Sequence, residues 1–349
     1  MKILLFKIGA IGDTLMTTPL IKNLKDNFPD AKLHYLIGNY SHEVLKGNCY
    51  LDNTITFDED IFFKKRFFDW INLIFKIRKE NYDVVFVLDK HLIFNFTSLL
   101  FGIKKRIGFD RFNEGKFLTY QVPYFGRKHE IFYYLDLIKG LGINSEHKNC
   151  NMDLFLDKND MDFADNFWNE NSLNSKLVVG ICPGGAKNIG VGDDDLRRWS
   201  NENYIELISN LNEKGFEVLL IGGNTDKELE KQIFKKNTCV SAIGKTTLKQ
   251  SAALLKKCNI VVCNDSGPMH LAASVNKKVL SIFGPTHPCE KAPLHKKSTF
   301  LWKQVGCSPC YDLWGKFPKP CPYGKKCMEN ITVEDVFDTI QKSVDESKL

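Results

Sequence analysis

Short apolar runs alternate with amphipathic stretches of helical period along nearly the whole chain. KILLFKI (2–8), KLHYLIG (32–38) and DVVFVLD (83–89) read as strands. The last is a near-continuous β-branched run, as in strands buried on both faces of a parallel sheet. TLMTTPLIKNLKDNFP places Leu15, Leu20, Ile21 and Leu24 at helical spacing, HLIFNFTSLLFG reads as a helix and KRIGF as a strand. Residues 151–175 are polar and rich in Asn and Asp around a helical stretch at 158–170, and then the pattern restarts. KLVVGICPGG (176–185), FEVLLIGG, NIVVCND and KKVLSIFGP read as strands. NENYIELISNLNEKG, TDKELEKQIFKK, LKQSAALLKKC and SGPMHLAASVN read as helices, and ITVEDVFDTIQKSVDES closes the chain as another. Gly215 stands where a C-cap glycine belongs.

Alternating strands and helices imply parallel sheets covered by helices on both sides. The fold class is therefore α/β, with two doubly wound, Rossmann-like units. The expected boundaries are 1–165 for the first domain, 175–330 for the second and 331–349 for a closing helix. Ligands of such sheets sit outside the carboxyl ends of the strands. Glycine or small polar residues follow five strands here: Gly9 and Gly12, Gly184 and Gly185, Gly222 and Gly223, Asp265 to Gly267, and Gly284. All five point at one expected cleft.

At 349 residues, 43% hydrophobic and 26% charged, the composition is that of an ordinary soluble protein with room for two domains. No run approaches the ~18 apolar residues of a spanning helix. The opening ILLF is too short for a secretory signal, so the chain reads as cytoplasmic. The net charge is only +6, yet Lys and Arg cluster in the first half, in FFKKRFF (62–68), KKR (104–106) and GRKH (126–129). Such runs are either a solvated face or a surface for anionic substrate or lipid headgroups, which leaves peripheral membrane contact open.

The most specific local feature is CNDSGPMHLAAS (263–274). Asp265 ends a strand, and Ser266, Gly267 and Pro268 open a helix whose amide groups and dipole favour a phosphate. His270 belongs to the same first turn; the bland alternative is an N-capped helix with a satisfied histidine. In PGGAKNIGVGDDDLRRWS (183–200), Gly184 and Gly185 form a turn, and Arg197 and Arg198 are candidates to clamp a diphosphate. The alternative there is a surface loop anchored by Trp199. Neither G-x-G-x-x-G after the first strand nor G-x-x-x-x-G-K-[ST] occurs, which argues against a dinucleotide fingerprint and a P-loop.

With KIGAIGDTLMTTP at the start, PGG…RRW, IGGNTDKE, CNDSGPMHLAAS and VLSIFGPTHP, the chain resembles glycosyltransferase family 9, the ADP-heptose:lipopolysaccharide heptosyltransferases, over nearly its whole length. The resemblance implies the GT-B fold, two facing Rossmann-like domains with a cleft between them. The nucleotide-sugar donor would be held mainly by the second domain and the acceptor by the first. It further implies transfer of a heptose from ADP-heptose to a lipopolysaccharide core (Kdo/heptose) acceptor, with inversion, no metal in the catalytic step and no cofactor. Asp13 matches the family's proposed general base; otherwise it would cap a helix starting at Thr14. Gly12 would let the donor sugar lie against the backbone. Gly184, Gly185, Arg197, Arg198, Asp265, Ser266, Gly267, Pro268 and His270 would hold the donor, Arg197 taking the place of the family's usual lysine. Lys104, Lys105 and Arg106 would meet the anionic acceptor, with peripheral contact at the inner membrane face and no nucleic acid partner. The remaining alternatives are transfer from another NDP-sugar to a surface glycan, a same-fold nucleotide-sugar 2-epimerase, and a non-catalytic nucleotide-sugar binder.

Of eleven cysteines, Cys182, Cys258 and Cys263 lie in apolar runs and read as reduced core residues. Cys307, Cys310, Cys321 and Cys327 cluster as CSPC…CPYGKKC, with spacings x2, x10 and x5. The first pair resembles half a zinc knuckle and the second is loose. Either the four hold a thiolate metal or they are loop cysteines packed with Trp314 and Phe317; no metal is assigned.

Overall fold

The computed structural model describes the chain except residues 145–146, 148, 186, 189–191, 194, 277, 312–319 and 347–349. It divides into two compact units, Met1–Phe155 and Leu156–Leu349.

The first unit carries strands β1 (Lys2–Lys7), β2 (Lys32–Gly38), β3 (Asn53–Phe57), β4 (Val84–Val87), β5 (Lys105–Asp110) and β6 (Tyr120–Pro123) in the order β3-β2-β1-β4-β5-β6. All neighbours are parallel. Its helices are α1 (Ile11–Leu15), α2 (Thr18–Asn27), α3 (Asp60–Phe63), α4 (Phe67–Arg78), α5 (Leu92–Leu100) and α6 (Glu130–Asp136). β1 and β4 are apolar almost throughout because helices cover both faces of the sheet. Leu4, Phe6, Leu36, Val85 and Val87 pack against Ile74, Ile77, Phe94 and Phe101.

The second unit repeats the plan with β7 (Val178–Cys182), β8 (Lys187–Asn188), β9 (Gly192–Asp193), β10 (Glu217–Leu220), β11 (Val240–Ser241), β12 (Ile260–Asn264), β13 (Val279–Phe283) and β14 (Thr299–Trp302). The main sheet is parallel, in the order β11-β10-β7-β12-β13-β14, and β8 and β9 form a separate antiparallel pair. Its helices are α7 (Lys158–Glu170), α8 (Asn201–Glu213), α9 (Lys227–Phe234), α10 (Leu248–Lys257), α11 (Gly267–Val275), α12 (Pro288–Lys291), α13 (Lys326–Glu329) and α14 (Val333–Asp345). In each sheet the chain order reverses beside the first strand, between β1 and β4 and between β7 and β12, where doubly wound folds bind ligands. Among the described residues no helix is long and apolar enough to cross a membrane.

Three details differ from the sequence reading. The first expected helix is two, α1 and α2, because the Thr17 and Thr18 hydroxyls donate back to the Thr14 and Leu15 carbonyls at 2.7 and 2.8 Å and Pro19 has no amide to continue the ladder. Helix α7 joins the second unit, with its Trp168 ring under the Lys257 ammonium of α10. The closing helix α14 packs on α8 inside that unit.

Candidate functional site

At the carboxyl edge of the first sheet, β1 runs through Ile8, Gly9 and Ala10 into α1. Gly9 has φ +116°, and a Cβ there would come 2.2 Å from Ser41 Oγ, so the turn must be glycine. Helix α1 starts at Ile11, and the Thr14 amide bonds to Ala10 O at 2.9 Å. Asp13 therefore lies inside the first turn of α1, not at the cap of a helix starting at Thr14, and Gly12 is buried beside it.

Beneath this turn, the last residue of β1 is Lys7, 2% exposed. Its ammonium lies 2.9 Å from Asp89 Oδ1, just past β4, while Asp89 Oδ2 accepts the Ile8 amide at 2.6 Å. Burial disfavours the ammonium, but its neighbours, Asp89 first and Asp13 among them, together outweigh it and hold the Lys7 pKa well above its ordinary value. The Tyr35 hydroxyl, 3.0 Å from Thr17 Oγ1, and the Tyr134 hydroxyl are pushed up by burial and stay neutral. A charged lysine thus holds one carboxylate and acts on a second, Asp13.

The basic runs divide by position. Lys128 pairs with Asp136, which Lys139 at 2.7 Å and His147 at 3.0 Å also engage. Lys90 bonds Glu130 at 3.0 Å and lies over the Tyr124 ring. Lys104, Lys105 and Arg106, the residues expected to meet the acceptor, lie at the other end of the sheet from the Asp13 turn. They precede or open β5, at the amino edge of the sheet, and β5 is six residues long, about 20 Å at ~3.3 Å per residue. Arg106 is also turned inward, donating to Phe117 O at 2.7 Å, Ile103 O at 2.7 Å and Lys104 O at 3.1 Å.

At the carboxyl edge of the second sheet, β7 runs into Pro183–Gly184–Gly185. A Cβ on Gly184 would come 2.1 Å from Asp226 Oδ1; Gly185 has φ +91°, and a Cβ there would come 2.5 Å from Ser266 Oγ. The turn therefore presses against the start of α11. Ser266 is the extended N-cap residue of that helix, and its hydroxyl donates to Asn264 O at 3.3 Å. Gly267 and Pro268 form its first two positions, and His270 is buried in the first turn. Asp265 is buried and accepts from Thr286 Oγ1 at 2.6 Å.

Arg197 and Arg198 do not project as a paired clamp. The Arg197 guanidinium is buried and donates to Asp265 O at 3.2 Å, with Asp265 Oδ2 at 3.8 Å. Arg198 grips Gly185 O with Nε and Nη2 at 2.8 and 2.7 Å. Both fix the walls of the turn. Residues 186, 189–191 and 194 of the loop between Gly185 and Arg197 lie outside the described residues.

Sequence reasoning passed over Asn264, which is fully buried. Its carboxamide accepts the Trp199 amide and the Tyr204 hydroxyl, each at 3.0 Å, and donates to Pro183 O at 2.9 Å. An asparagine closing the apolar strand IVVCN was the available signal. Thr286, Asp226, Lys7 and Asp89 were also missed; each follows or ends a strand beside a glycine turn.

Cys307, Cys310, Cys321 and Cys327 line one small cavity of about 60 Å³ with Leu196 and Pro285. Burial, with the three other thiols, pushes Cys327 up to about 11. Among the described residues no group of three or more His, Cys, Asp or Glu is arranged to hold a metal ion. Trp314 and Phe317, the expected packing partners, lie outside the described residues. Burial raises the Cys258 and Cys263 thiols well above their ordinary range, as inert core cysteines require.

The family model described as glycosyltransferase family 9 (heptosyltransferase) matches residues 70–319. Lipooligosaccharide heptosyltransferase 2 of Haemophilus influenzae is 33% identical over 135 residues, 37% of this chain and 37% of that protein, so the match spans little more than a third of that relative. Lipooligosaccharide heptosyltransferase 2 of Campylobacter jejuni is 24% identical over 368 residues, covering 100% of both chains. The solved structure of Escherichia coli ADP-heptose lps heptosyltransferase II superposes with TM-score 0.78 at 21% identity, covering 100% of both chains. The two parallel six-stranded sheets are thus those of the GT-B fold class.

Proposed function

Because the chain belongs to glycosyltransferase family 9, we propose that it moves a heptose from ADP-heptose to a Kdo or heptose unit of a lipopolysaccharide inner core, with inversion and without a catalytic metal. The observation that carries this reading is Asp13 in the turn after β1, above the buried Lys7–Asp89 pair. A carboxylate held there by a rigid strand end suits a general base.

The acceptor hydroxyl oxygen attacks the anomeric carbon, and its proton passes to the Asp13 carboxylate. The bond from that carbon to the diphosphate oxygen breaks, and ADP leaves with the electron pair. Without a metal, fixed dipoles must stabilise the growing charge on the diphosphate. The amino end of the nine-residue α11, approached closely by Gly185, is the group suited to this. Arg197 and Arg198 enter as positioning residues that hold Asp265 and Gly185. The acceptor is a membrane-anchored glycolipid, which places the protein at the cytoplasmic face of the inner membrane.

The test is to incubate purified protein with ADP-heptose and a Kdo-bearing lipid A acceptor, with UDP- and GDP-sugars as competing donors. A heptosylated product and released ADP are expected. Transfer from another nucleotide sugar alone, or ADP-heptose binding without transfer, would overturn the reading.

A further inference from the structure

A surface helix of a globular protein ordinarily shows water a polar face. Helices α4 and α5 instead place large apolar side chains on their exposed faces. They lie side by side, the Trp70 indole donating to Thr97 Oγ1 at 3.0 Å and stacking on Phe96. Helix α4 buries Leu73, Ile74 and Ile77 against the sheet, while its outer face carries Phe67, Phe68 and Phe75, exposed by 59, 80 and 58%. Helix α5, LIFNFTSLL, has no charged residue, and its Ile93 and Leu99 are exposed. Phe63, at the end of α3, is exposed as well. Large exposed apolar patches on a soluble domain mark a contact surface.

The rim of this patch is basic. Lys64, Lys65 and Arg66 separate α3 from α4, and Lys76, Arg78 and Lys79 end α4. Arg78 lies against Gly102, which brings Lys104 and Lys105 to the same end. Lys64 and Arg66 pair with Asp60, Asp58 and Asp69, but Lys65, Lys79, Lys104 and Lys105 make no ion pair among the described residues. Phenylalanines ringed by lysines fit a bilayer bearing anionic headgroups: the rings enter the acyl boundary and the ammonium groups meet phosphates. A second copy fits worse, because a two-fold contact would turn the same basic rim onto itself.

We infer that the α3–α4–α5 face of the first unit docks on an anionic membrane surface. This docking needs no part of the chemistry proposed above.

Co-sedimentation of the full chain with vesicles of phosphatidylethanolamine and phosphatidylglycerol, against phosphatidylcholine alone, tests it. Binding to the anionic vesicles is expected at least ~10-fold above the neutral ones, falling as salt rises. Phe68→Ser/Phe75→Ser should lower it at least ~10-fold, with an unchanged melting temperature because both rings are exposed. Replacing Lys65, Lys79, Lys104 and Lys105 with Gln should remove most of the salt dependence. Absent binding, equal binding to neutral vesicles, or equal binding by the Phe variant would overturn the inference. So would a wild-type dimer that the Phe variant converts to monomer without any vesicle binding, which would assign the face to a second copy.

Discussion

Lys7 Nζ stands 2.9 Å from Asp89 Oδ1, across the carboxyl ends of the neighbouring strands β1 and β4. Removing one member of a buried pair leaves the other charge uncompensated. Lys7→Met should therefore destabilise the first unit by about 3–5 kcal/mol in urea unfolding. The folded-state pKa of Lys7 is raised, so its contribution is present in full below the unfolded value of about 10.4 and is lost as pH rises through the folded value. The stability gap between wild type and Lys7→Met should be flat from neutral pH to about 10 and close only above it. A gap that closes between pH 5 and 8 would contradict the pairing.

Asn264 ties β12 to the Pro183 turn, Trp199 and Tyr204. Asn264→Ala leaves several buried groups without partners, each worth about 1–3 kcal/mol. A loss of roughly 2–4 kcal/mol in denaturant unfolding is expected. A loss below about 0.5 kcal/mol, typical of a surface change, would show that water replaces the carboxamide.

Gly185→Ala forces a Cβ to 2.5 Å from Ser266 Oγ at a φ of +91°. The turn must shift from the start of α11. Calorimetric ADP affinity should fall about tenfold or more, equivalent to ~1.4 kcal/mol, while the acceptor KM stays level. Unchanged ADP binding would separate this turn from the donor site.

The central strands were legible in the sequence because burial on both faces leaves continuous apolar runs; KLHYLIG coincides with β2 and DVVFVLD contains β4. Helix α7 was read as the helical stretch 158–170, and its capping box, Asp157 with Asp160, was a signal passed over. The edge strands NTITF, YQVP and TFLW were not, since they are short and half exposed. Helix α4 was hidden because exposed Phe67, Phe68 and Phe75 blur the polar half of the period, so FFKKRFF registered only as a charge run. Asp13 and the start of α11 stood out as motifs. The partners that hold them did not, because Asp89 reaches Lys7, and Asn264 reaches Pro183, through strand pairing across about 80 residues. Arg197 and Arg198 carried the right chemistry for a diphosphate, but tertiary contacts turn both onto the backbone.

Chelation should leave the transfer rate nearly unchanged, since the proposed stabilisation of the diphosphate comes from the fixed dipoles at the amino end of α11. Assays with EDTA against added Mg²⁺ or Mn²⁺ check this. A rate that vanishes with EDTA and returns with either ion would contradict the metal-free step.

The most direct test is single-turnover transfer from ADP-heptose by Asp13→Asn, which keeps the shape of the side chain and removes its basicity. The rate should fall by about 10²–10⁴, while ADP affinity and melting temperature match wild type. A variant that transfers heptose at near wild-type rate would show that Asp13 is a structural residue of α1 and that the base lies elsewhere.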